Sequence, residues 1–267
     1  MRNAFRLYLR YLGISFRSQM QYRASFVMLS VGQFFISGID FLAILILFDR
    51  FDHLQGWSLS EVAFFYGLVS VSFAISDAFA RGFDSFHLTI KSGEFDRVLL
   101  RPRSPVIQIA GQELTLRRIG RFLQGLIVLL WATHTLQVSW SVFKILFLLT
   151  TILGGAAFFV GLFILQATFA FWTTESLEIM NTLTYGGRET ASYPLPIYRS
   201  WFRKFFTYVV PLACVNYFPA LALLERSDPL GFPPILPWIA PWICLLFLLL
   251  SLKIWQFGIR HYRSTGS

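Results

Sequence analysis

Two carboxylates in apolar surroundings are the side chains of this sequence whose positions could do chemistry. Asp40 lies in the apolar stretch 24–48, and Asp77 lies near the end of the stretch 62–80. A charged group in the middle of a hydrocarbon layer costs about 3 kcal/mol, so it normally faces protein or a water-filled path. Asp40 therefore lies at a subunit interface or on a substrate route, or it is a buried, satisfied or protonated carboxyl near the outer interface. Asp77 precedes Arg81 by four residues, the spacing of a local ion pair on a helix.

Other catalytic patterns are absent from the sequence. There is no G-x-x-x-x-G-K-[ST] loop for nucleotide phosphates, no G-x-S-x-G and no H-E-x-x-H. The four histidines are scattered, and Cys214 and Cys244 stand alone among apolar residues. We therefore expect no metal site, no catalytic residue and two buried cysteines, and an intramembrane lipid-modifying enzyme has little support.

A charged run, IKSGEFDRVLLRPRSPVIQIAGQEL, covers residues 90–114 between two apolar stretches. It carries four bases, three acids and two prolines. Gly93 interrupts one helix, and Pro102 and Pro105 are expected to stop any helix that follows. The run predicts a short helix, a rigid turn and an exposed charged surface that could dock a soluble partner. An ordinary loop is the alternative.

The elements that position these residues are apolar and long. The chain is 55% hydrophobic and 14% charged, whereas soluble domains are about 45–50% apolar and about 25% charged. The apolar residues form blocks long enough to cross a bilayer. We predict spans at residues 24–48, 62–80, 122–138, 142–172 and 235–257. Within the fourth, Gly154-Gly155 and the pair Ala157 and Gly161 predict a close approach of another helix.

The distribution of Lys and Arg predicts the orientation. Residues 81–121 hold eight bases and four acids, whereas residues 49–61 hold three acids against one Arg. This bias places both termini and residues 81–121 in the cytoplasm and requires an even number of spans. A sixth span must then lie between 173 and 234. The net charge of +9 reflects these cytoplasmic segments, and we expect no nucleic-acid partner.

The first 23 residues hold five arginines and no acid. Phe5, Leu9, Leu12 and Phe16 recur at helical spacing, apart from most of the arginines. This pattern is typical of a basic amphipathic helix in the membrane interface. A solvated cytoplasmic tail is the alternative.

The stretch SGEFDRVLLRPRSP resembles the cytoplasmic coupling segment of ABC-2-type (type V) transporter permeases. Together with FWTTESLEIMNTLTYGGRETASYPLPIY, it is similar to a six-span permease subfamily, and the resemblance extends over essentially the whole chain. It implies an all-α membrane subunit of an ABC exporter with six transmembrane helices, an N-terminal interfacial helix, a cytoplasmic coupling helix and re-entrant helices before the last span. A membrane scaffold or assembly factor that docks a soluble partner without transporting anything is the alternative.

The resemblance also implies partners and site residues. Such permeases dimerise, with a second copy or a paralogous permease, and they bind separately encoded subunits that hold ATP and Mg. This chain itself then has no cofactor, and it lies among lipids in a bacterial cytoplasmic membrane. The residues expected to sit in a groove of the ATP-binding subunit are Gly93, Glu94, Phe95, Asp96, Arg97, Leu99, Leu100 and Pro102.

Residues 173–234 allow two interpretations. Hydropathy favours a cytoplasmic segment 173–204 and a sixth span at 205–224. The resemblance implies a turn at 173–176, a short fifth helix at 177–191 and re-entrant helices at 199–225. The outer turn would hold Tyr193, Pro194 and Pro196, and the breaks would fall at Pro211 and Pro219. Prolines eight residues apart fit short broken helices better than one span, so we favour the second interpretation.

The predicted organisation is one transmembrane domain over residues 1–267. Its parts are the interfacial helix (1–23), spans one and two (24–80), the coupling segment (81–121), spans three and four (122–172), the short span and re-entrant region (173–234), the last span (235–257) and a tail (258–267).

Overall fold

The computed structural model describes residues 2–113, 115–173 and 178–264 of the chain. These residues form helices and connecting turns and contain no strand, which confirms the all-α class. The helices are α1 (Arg2–Gln21), α2 (Arg23–Arg50), α3 (Leu59–Phe79), α4 (Arg81–Asp84), α5 (Phe86–Lys91), α6 (Glu94–Leu100), α7 (Pro105–Gln112), α8 (Ile119–Thr135), α9 (Val142–Thr173), α10 (Glu178–Asn181), α11 (Gly187–Ala191), α12 (Ser200–Lys204), α13 (Tyr217–Leu223) and α14 (Leu236–His261).

Four helices in the described part of the chain, α2, α3, α9 and α14, are long and apolar enough to cross a membrane. A fifth candidate is the pair Ser200–Val209 and Leu212–Leu223, which is bent by 74° at its break. Helix α8 has 17 residues, at the lower end of the ~17–25 that a spanning helix needs. The structure therefore supports a polytopic membrane protein with four or five candidate spans, and the predicted number of six is not confirmed.

Helix α3 begins earlier than the sequence pattern predicted, because it carries a capping box. The Glu61 carboxylate accepts a hydrogen bond from the Ser58 backbone N–H at 2.8 Å, and the Ser58 hydroxyl accepts one from the Glu61 N–H. These reciprocal bonds satisfy backbone donors that an uncapped helix would leave free. The acidic composition of residues 49–61 predicted a loop up to Glu61, whereas the structure begins the helix at Leu59.

Helix α3 is the centre of the bundle. It contacts α2, α8, α9, α11 and α13, and every residue from Val62 to Ala74 is buried. A helix that is apolar on all sides is stable only when other helices surround it. The residues that α3 carries at its ends, Glu61 and Asp77, are therefore held in fixed positions.

Helix α9 packs along α14 and also contacts α3. A Cβ atom at Gly154 would lie 3.0 Å from the Pro241 carbonyl oxygen, and one at Gly161 would lie 3.0 Å from the Phe247 ring. The close helix approach predicted from the glycines of α9 is therefore confirmed: α14 is the partner helix at Gly154 and Gly161, and α3 is the partner at Gly155.

Gly120→Ala is expected to destabilise the protein by about 1–3 kcal/mol, the usual cost of overpacking. A Cβ atom at Gly120 would overlap the backbone carbonyl oxygen of Ser30, so α8 would have to move away from α2. Gly32→Ala is the matched control, since no neighbouring heavy atom lies within 4 Å of its added Cβ. The stability of both variants is compared by their unfolding midpoints in detergent. A Gly120→Ala midpoint equal to that of Gly32→Ala would contradict this packing.

The segment after α9 runs back along the bundle. A π-helical turn, Thr182–Gly186, joins α10 to α11. Its Tyr185 hydroxyl donates to Asp84 Oδ2 at 3.0 Å, whereas the Ala191 carbonyl at the other end of α11 accepts from the Asn216 side chain. The predicted turn at 173–176 and the first residue of 177–191 lie mainly outside the described residues.

The chain then turns and forms broken helices. Tyr193, Pro194 and Pro196 lie in the turn between α11 and α12, which includes a 3-10 turn at Leu195–Ile197. Pro211 stands at the 74° break, as expected. Pro219 does not break the chain, because it lies in the first turn of α13, where proline is tolerated.

Candidate functional site

Helix α6 is anchored to the ends of α9 and α14 by one buried phenylalanine. Gly93 has φ +70°, a left-handed conformation that glycine adopts without strain, and it turns the chain from α5 into α6. Phe95 is fully buried, with ring centroids 5.1 Å from Phe86, 5.4 Å from Phe171 and 5.0 Å from Tyr262. Aromatic packing of this kind fixes α6 as a rigid extension of the bundle.

The opposite side of α6 and the turn after it form an exposed surface, which we call the tip surface. Leu100, at its centre, is 85% exposed. The tip surface consists of Glu94, Arg97, Leu99, Leu100, Arg101, Pro102 and Arg103, all of them exposed. It carries three arginines and one acid, so it is basic with an apolar centre.

The turn of the tip surface is held from below by α7. Gln108 Nε2 donates to the Val98 carbonyl at 3.1 Å and lies 3.2 Å from the Arg103 carbonyl. Helix α7 begins at Pro105, although the sequence pattern predicted that this proline would stop a helix. Proline fits the first helical position, because the N–H that it lacks would have no partner in the helix there.

Asp96 faces the C-terminal tail. The Ser264 hydroxyl donates to Asp96 Oδ2 at 2.6 Å, and burial, with a contribution from the Asp96 carboxylate, raises the pKa of Tyr262. The predicted contact segment is thus divided: Phe95 anchors α6, Asp96 faces the tail and Glu94 is exposed. The sequence gives no signal for Tyr262 or Ser264, since the tail has no pattern beyond its basic charge.

A second polar group, the Asp77 cluster, comprises Asp77, Arg81, Arg118 and Arg121. Asp77 is completely buried. Its Oδ2 lies 2.7 Å from Arg118 Nε and 3.6 Å from Arg121 Nη1, and its Oδ1 lies 3.6 Å from Arg81 Nη1. The local pair with Arg81 that the spacing predicted is present, but Arg118 is closer. The three guanidinium groups offset the cost of burying this carboxylate, because opposite charges at close range replace the water that it loses.

One face of α2 receives three arginines from other elements. It carries polar side chains at residues 33, 37 and 40, whereas much of the rest of this helix is apolar and exposed. The pairs are Gln33–Arg118 (2.8 Å), Ser37–Arg121 (3.4 Å) and Asp40–Arg188 (3.0 Å). The contacts join α2 to α8 and α11 through charge-assisted hydrogen bonds as well as through apolar packing.

Asp40 and Asp77 belong to the same region of the bundle. The guanidinium carbons of Arg121 and Arg188 lie 5.6 and 5.8 Å from the centroid of the Phe73 ring.

The Asp40 carboxylate is satisfied by its ion pair with Arg188, which is one of the alternatives that the sequence left open. Its side chain is 37% exposed in the single chain, so it is not fully buried.

The arginine partners came mostly from outside the predicted spans. In the sequence, Arg118 and Arg121 stand among the cytoplasmic charges before the third span, and Arg188 falls in the short fifth helix 177–191 of the favoured interpretation. An Arg adjoining an apolar stretch is a usable signal, because its long side chain reaches toward acids in neighbouring helices. Sequence alone does not say which acid it reaches.

Metal ligation has no support in the described residues. They contain no group of three or more His, Cys, Asp or Glu side chains that could hold a metal ion. Cys214 and Cys244 are both free and buried, which confirms that they act as small apolar side chains.

Comparison with known proteins identifies the family. No curated protein and no solved structure matches the chain. The model of the family described as ABC-2 family transporter protein matches residues 34–266. Because this match covers most of the sequence and the fold is a bundle of apolar helices, the chain belongs to the ABC-2 transporter family.

Proposed function

We propose that the protein is the permease subunit of an exporter in the bacterial cytoplasmic membrane, with both termini in the cytoplasm. Membership of the ABC-2 family implies a membrane subunit that works with a separate ATP-binding subunit. The permease dimerises with a second copy or a paralogous permease, and the dimer moves an amphipathic or lipidic substrate. ATP and Mg are held by the partner, and this chain supplies no cofactor site.

The observation that carries the proposal is the tip surface. An exposed leucine between arginines has no role in the stability of a single chain, because Leu100 is 85% exposed. Apolar residues ringed by charges are typical of protein interfaces, where the apolar centre is buried and the polar rim sets the orientation. Because interfaces are electrostatically complementary, the basic tip surface predicts an acidic groove on the partner.

The packing of Phe95 links the tip surface to the long helices, so a movement of the docked ATP-binding subunit can be transmitted to the spans. The Phe95 ring contacts Phe171 near the end of α9, and its centroid lies 6.4 Å from the ring centroid of Trp255 in α14. A displacement of the tip surface is transmitted to both long helices, because close-packed aromatic side chains do not deform independently. Movement of the ATP-binding subunit can therefore rearrange the spans without any contact inside the bilayer.

The proposal is tested by co-purification of the protein with the ATP-binding subunits of its own organism, followed by ATP hydrolysis in lipid. We expect a stable complex that hydrolyses ATP. The pure permease, which has no phosphate-binding loop, should give no turnover. Absence of any complex would favour the scaffold alternative, and turnover by the pure chain would contradict the assignment to a subunit without an ATP site.

We propose further that residues 178–191 cross toward the outer side and that α12 and α13 are re-entrant. Two contacts support this arrangement. Tyr185 binds Asp84, which follows the proposed inner end of α3. Tyr217 of α13 packs on Trp57, 6.2 Å between ring centroids, in the loop before α3. Polar and broken helices are tolerated within the hydrocarbon layer of the membrane when other protein elements cover their backbone.

A cysteine at Ser200, in a background with Cys214→Ala and Cys244→Ala, is expected to react with a membrane-impermeant maleimide in intact cells. Ser200 is exposed at the start of α12, so its thiol is open to reagent on whichever side α12 begins. Ser104→Cys, exposed beside the tip surface, is the matched control and should react only after the membrane is opened. If Ser200→Cys also required opened membranes, residues 173–204 would be cytoplasmic and the hydropathy interpretation would be right.

A further inference from the structure

A cavity of about 560 Å³ lies where α1 meets α2. Its walls come from the end of α1, the first two turns of α2 and the segment between α7 and α8. This volume lies within the ~300–1,000 Å³ range of small-ligand sites. Because α1 is a basic amphipathic helix and α2 is a candidate span, the junction between them lies at the level of the lipid headgroups.

The lining of the cavity is divided between polar and apolar groups. Ser15, Ser18 and Ser25 contribute hydroxyls, which can each donate one hydrogen bond and accept others. Phe26 and Leu29, farther along α2, give an apolar wall that leads toward the hydrocarbon. The arrangement of polar groups followed by an apolar wall matches a ligand with a polar head and an apolar chain.

Two opposite charges face the cavity from one short segment. Arg117 is exposed, and its side chain forms no hydrogen bond or ion pair with any described residue. Glu113 is half exposed, and its contacts with Ser85 (3.0 Å) and Arg81 (4.0 Å) both use Oε2. Its Oε1 is left without a partner among the described residues. The cavity therefore offers one guanidinium group and one carboxylate oxygen.

We propose that this cavity binds the headgroup of a zwitterionic phospholipid with a free ammonium group, such as phosphatidylethanolamine. Arg117 binds the phosphate, Glu113 Oε1 accepts a hydrogen bond from the ammonium, and an acyl chain lies along Phe26 and Leu29. The inference rests on the proposed membrane placement, but it does not depend on transport, so its failure would leave the proposed function intact.

A zwitterionic headgroup fits better than an anionic one. The exposed arginines of α1 attract anionic lipid to the surface in general. Within the cavity, however, an anionic lipid such as phosphatidylglycerol could donate to Glu113 only from a neutral hydroxyl, and it would add no positive charge to offset the carboxylate. Phosphatidylcholine has a positive charge but no N–H group, so it cannot donate to Glu113.

The test is the thermal unfolding midpoint of the full-length protein in detergent, titrated with each lipid. We expect phosphatidylethanolamine to raise the midpoint at about tenfold lower concentration than phosphatidylglycerol or phosphatidylcholine, since one charge-assisted hydrogen bond accounts for roughly that factor. Glycerophosphoethanolamine, which lacks acyl chains, should have no effect at the same concentrations.

Arg117→Gln removes the contact with the phosphate that all three lipids share, and it should weaken their binding about equally, whereas Glu113→Gln removes the acceptor for the ammonium and should abolish the preference for phosphatidylethanolamine. Arg10→Gln, an exposed arginine of α1 outside the cavity, is the matched control and should keep both the binding and the preference. Equal shifts with phosphatidylethanolamine and phosphatidylcholine, or an unchanged preference in Glu113→Gln, would overturn the proposal. An equal shift with glycerophosphoethanolamine would also overturn it, because the ligand would then be a soluble phosphate ester.

Discussion

Leu100→Asp should yield a permease that inserts and folds normally but no longer retains its ATP-binding subunit. Leu100 is 85% exposed in the single chain, so the change removes no core contact. In a complex, burial of a leucine side chain contributes about 1.5–3 kcal/mol, and a carboxylate in its place would also have to lose its water. A total loss of about 3 kcal/mol corresponds to roughly 100-fold weaker binding.

The measurement is the dissociation constant of the complex in detergent, together with coupled ATP hydrolysis in lipid. Leu100→Met is the matched control, because it keeps the apolar volume and should bind nearly as well as the native protein. Unaltered binding by Leu100→Asp would show that the ATP-binding subunit docks elsewhere. The unfolding midpoint of the permease alone checks that both variants are folded.

The charges around Leu100 provide a second, separable effect. Arg101 and Arg103 are exposed, and replacing both with Glu should weaken the complex most at low salt, because interactions between exposed charges are screened. Glu94→Lys changes another exposed residue. Asp96→Lys is different in kind, since Asp96 is bonded to Ser264. It should release the tail from α6, and a loss of coupling in Asp96→Lys alone would report on the tail rather than on docking.

The sequence was most informative about elements that a single physical rule determines. The span length of ~20 apolar residues located α2, α3, α9 and α14 to within a few residues, and Gly93 marked the turn into α6. The glycines of α9 indicated a close partner helix. The resemblance located the candidate coupling segment, but it treated Phe95, Asp96 and Leu100 as one surface, because a linear motif does not say which side of a seven-residue helix is buried.

What the sequence could not supply were the contacts between distant residues. Asp40 and Arg188 are 148 positions apart, and Asp96 and Ser264 are 168 apart. Hydropathy treats each Arg as a sign of the cytoplasm, yet Arg188 is buried against α2 and α3 because its charge has a carboxylate beside it. Pro219 was read as a break because its place within α13 depends on where that helix begins, which the Asn216 cap decides.

The Asp77 cluster gives the prediction with the largest effect on stability. Asp77→Asn is nearly isosteric, but it leaves Arg118 and Arg121 largely buried without their closest negative charge; their side chains are 12% and 10% exposed. Removing one partner of a buried ion pair costs about 3–5 kcal/mol, because the remaining charge is still desolvated. We therefore expect a large fall in the unfolding midpoint and in the yield of folded protein.

Asp40→Asn is the matched control for that change. It alters the same chemical group, but the Asp40 side chain is 37% exposed, and Arg188 keeps a second carboxylate because its Nη1 lies 2.8 Å from Glu189 Oε1. We therefore expect a loss of about 1–2 kcal/mol. The double variant Asp77→Asn, Arg118→Gln should be more stable than the sum of the two single losses predicts, because it removes a charge together with its partner. If Asp77→Asn were no more damaging than Asp40→Asn, or if the two losses simply added, the three arginines would not depend on Asp77 for their neutralisation, and the cluster would not hold α3 to α8.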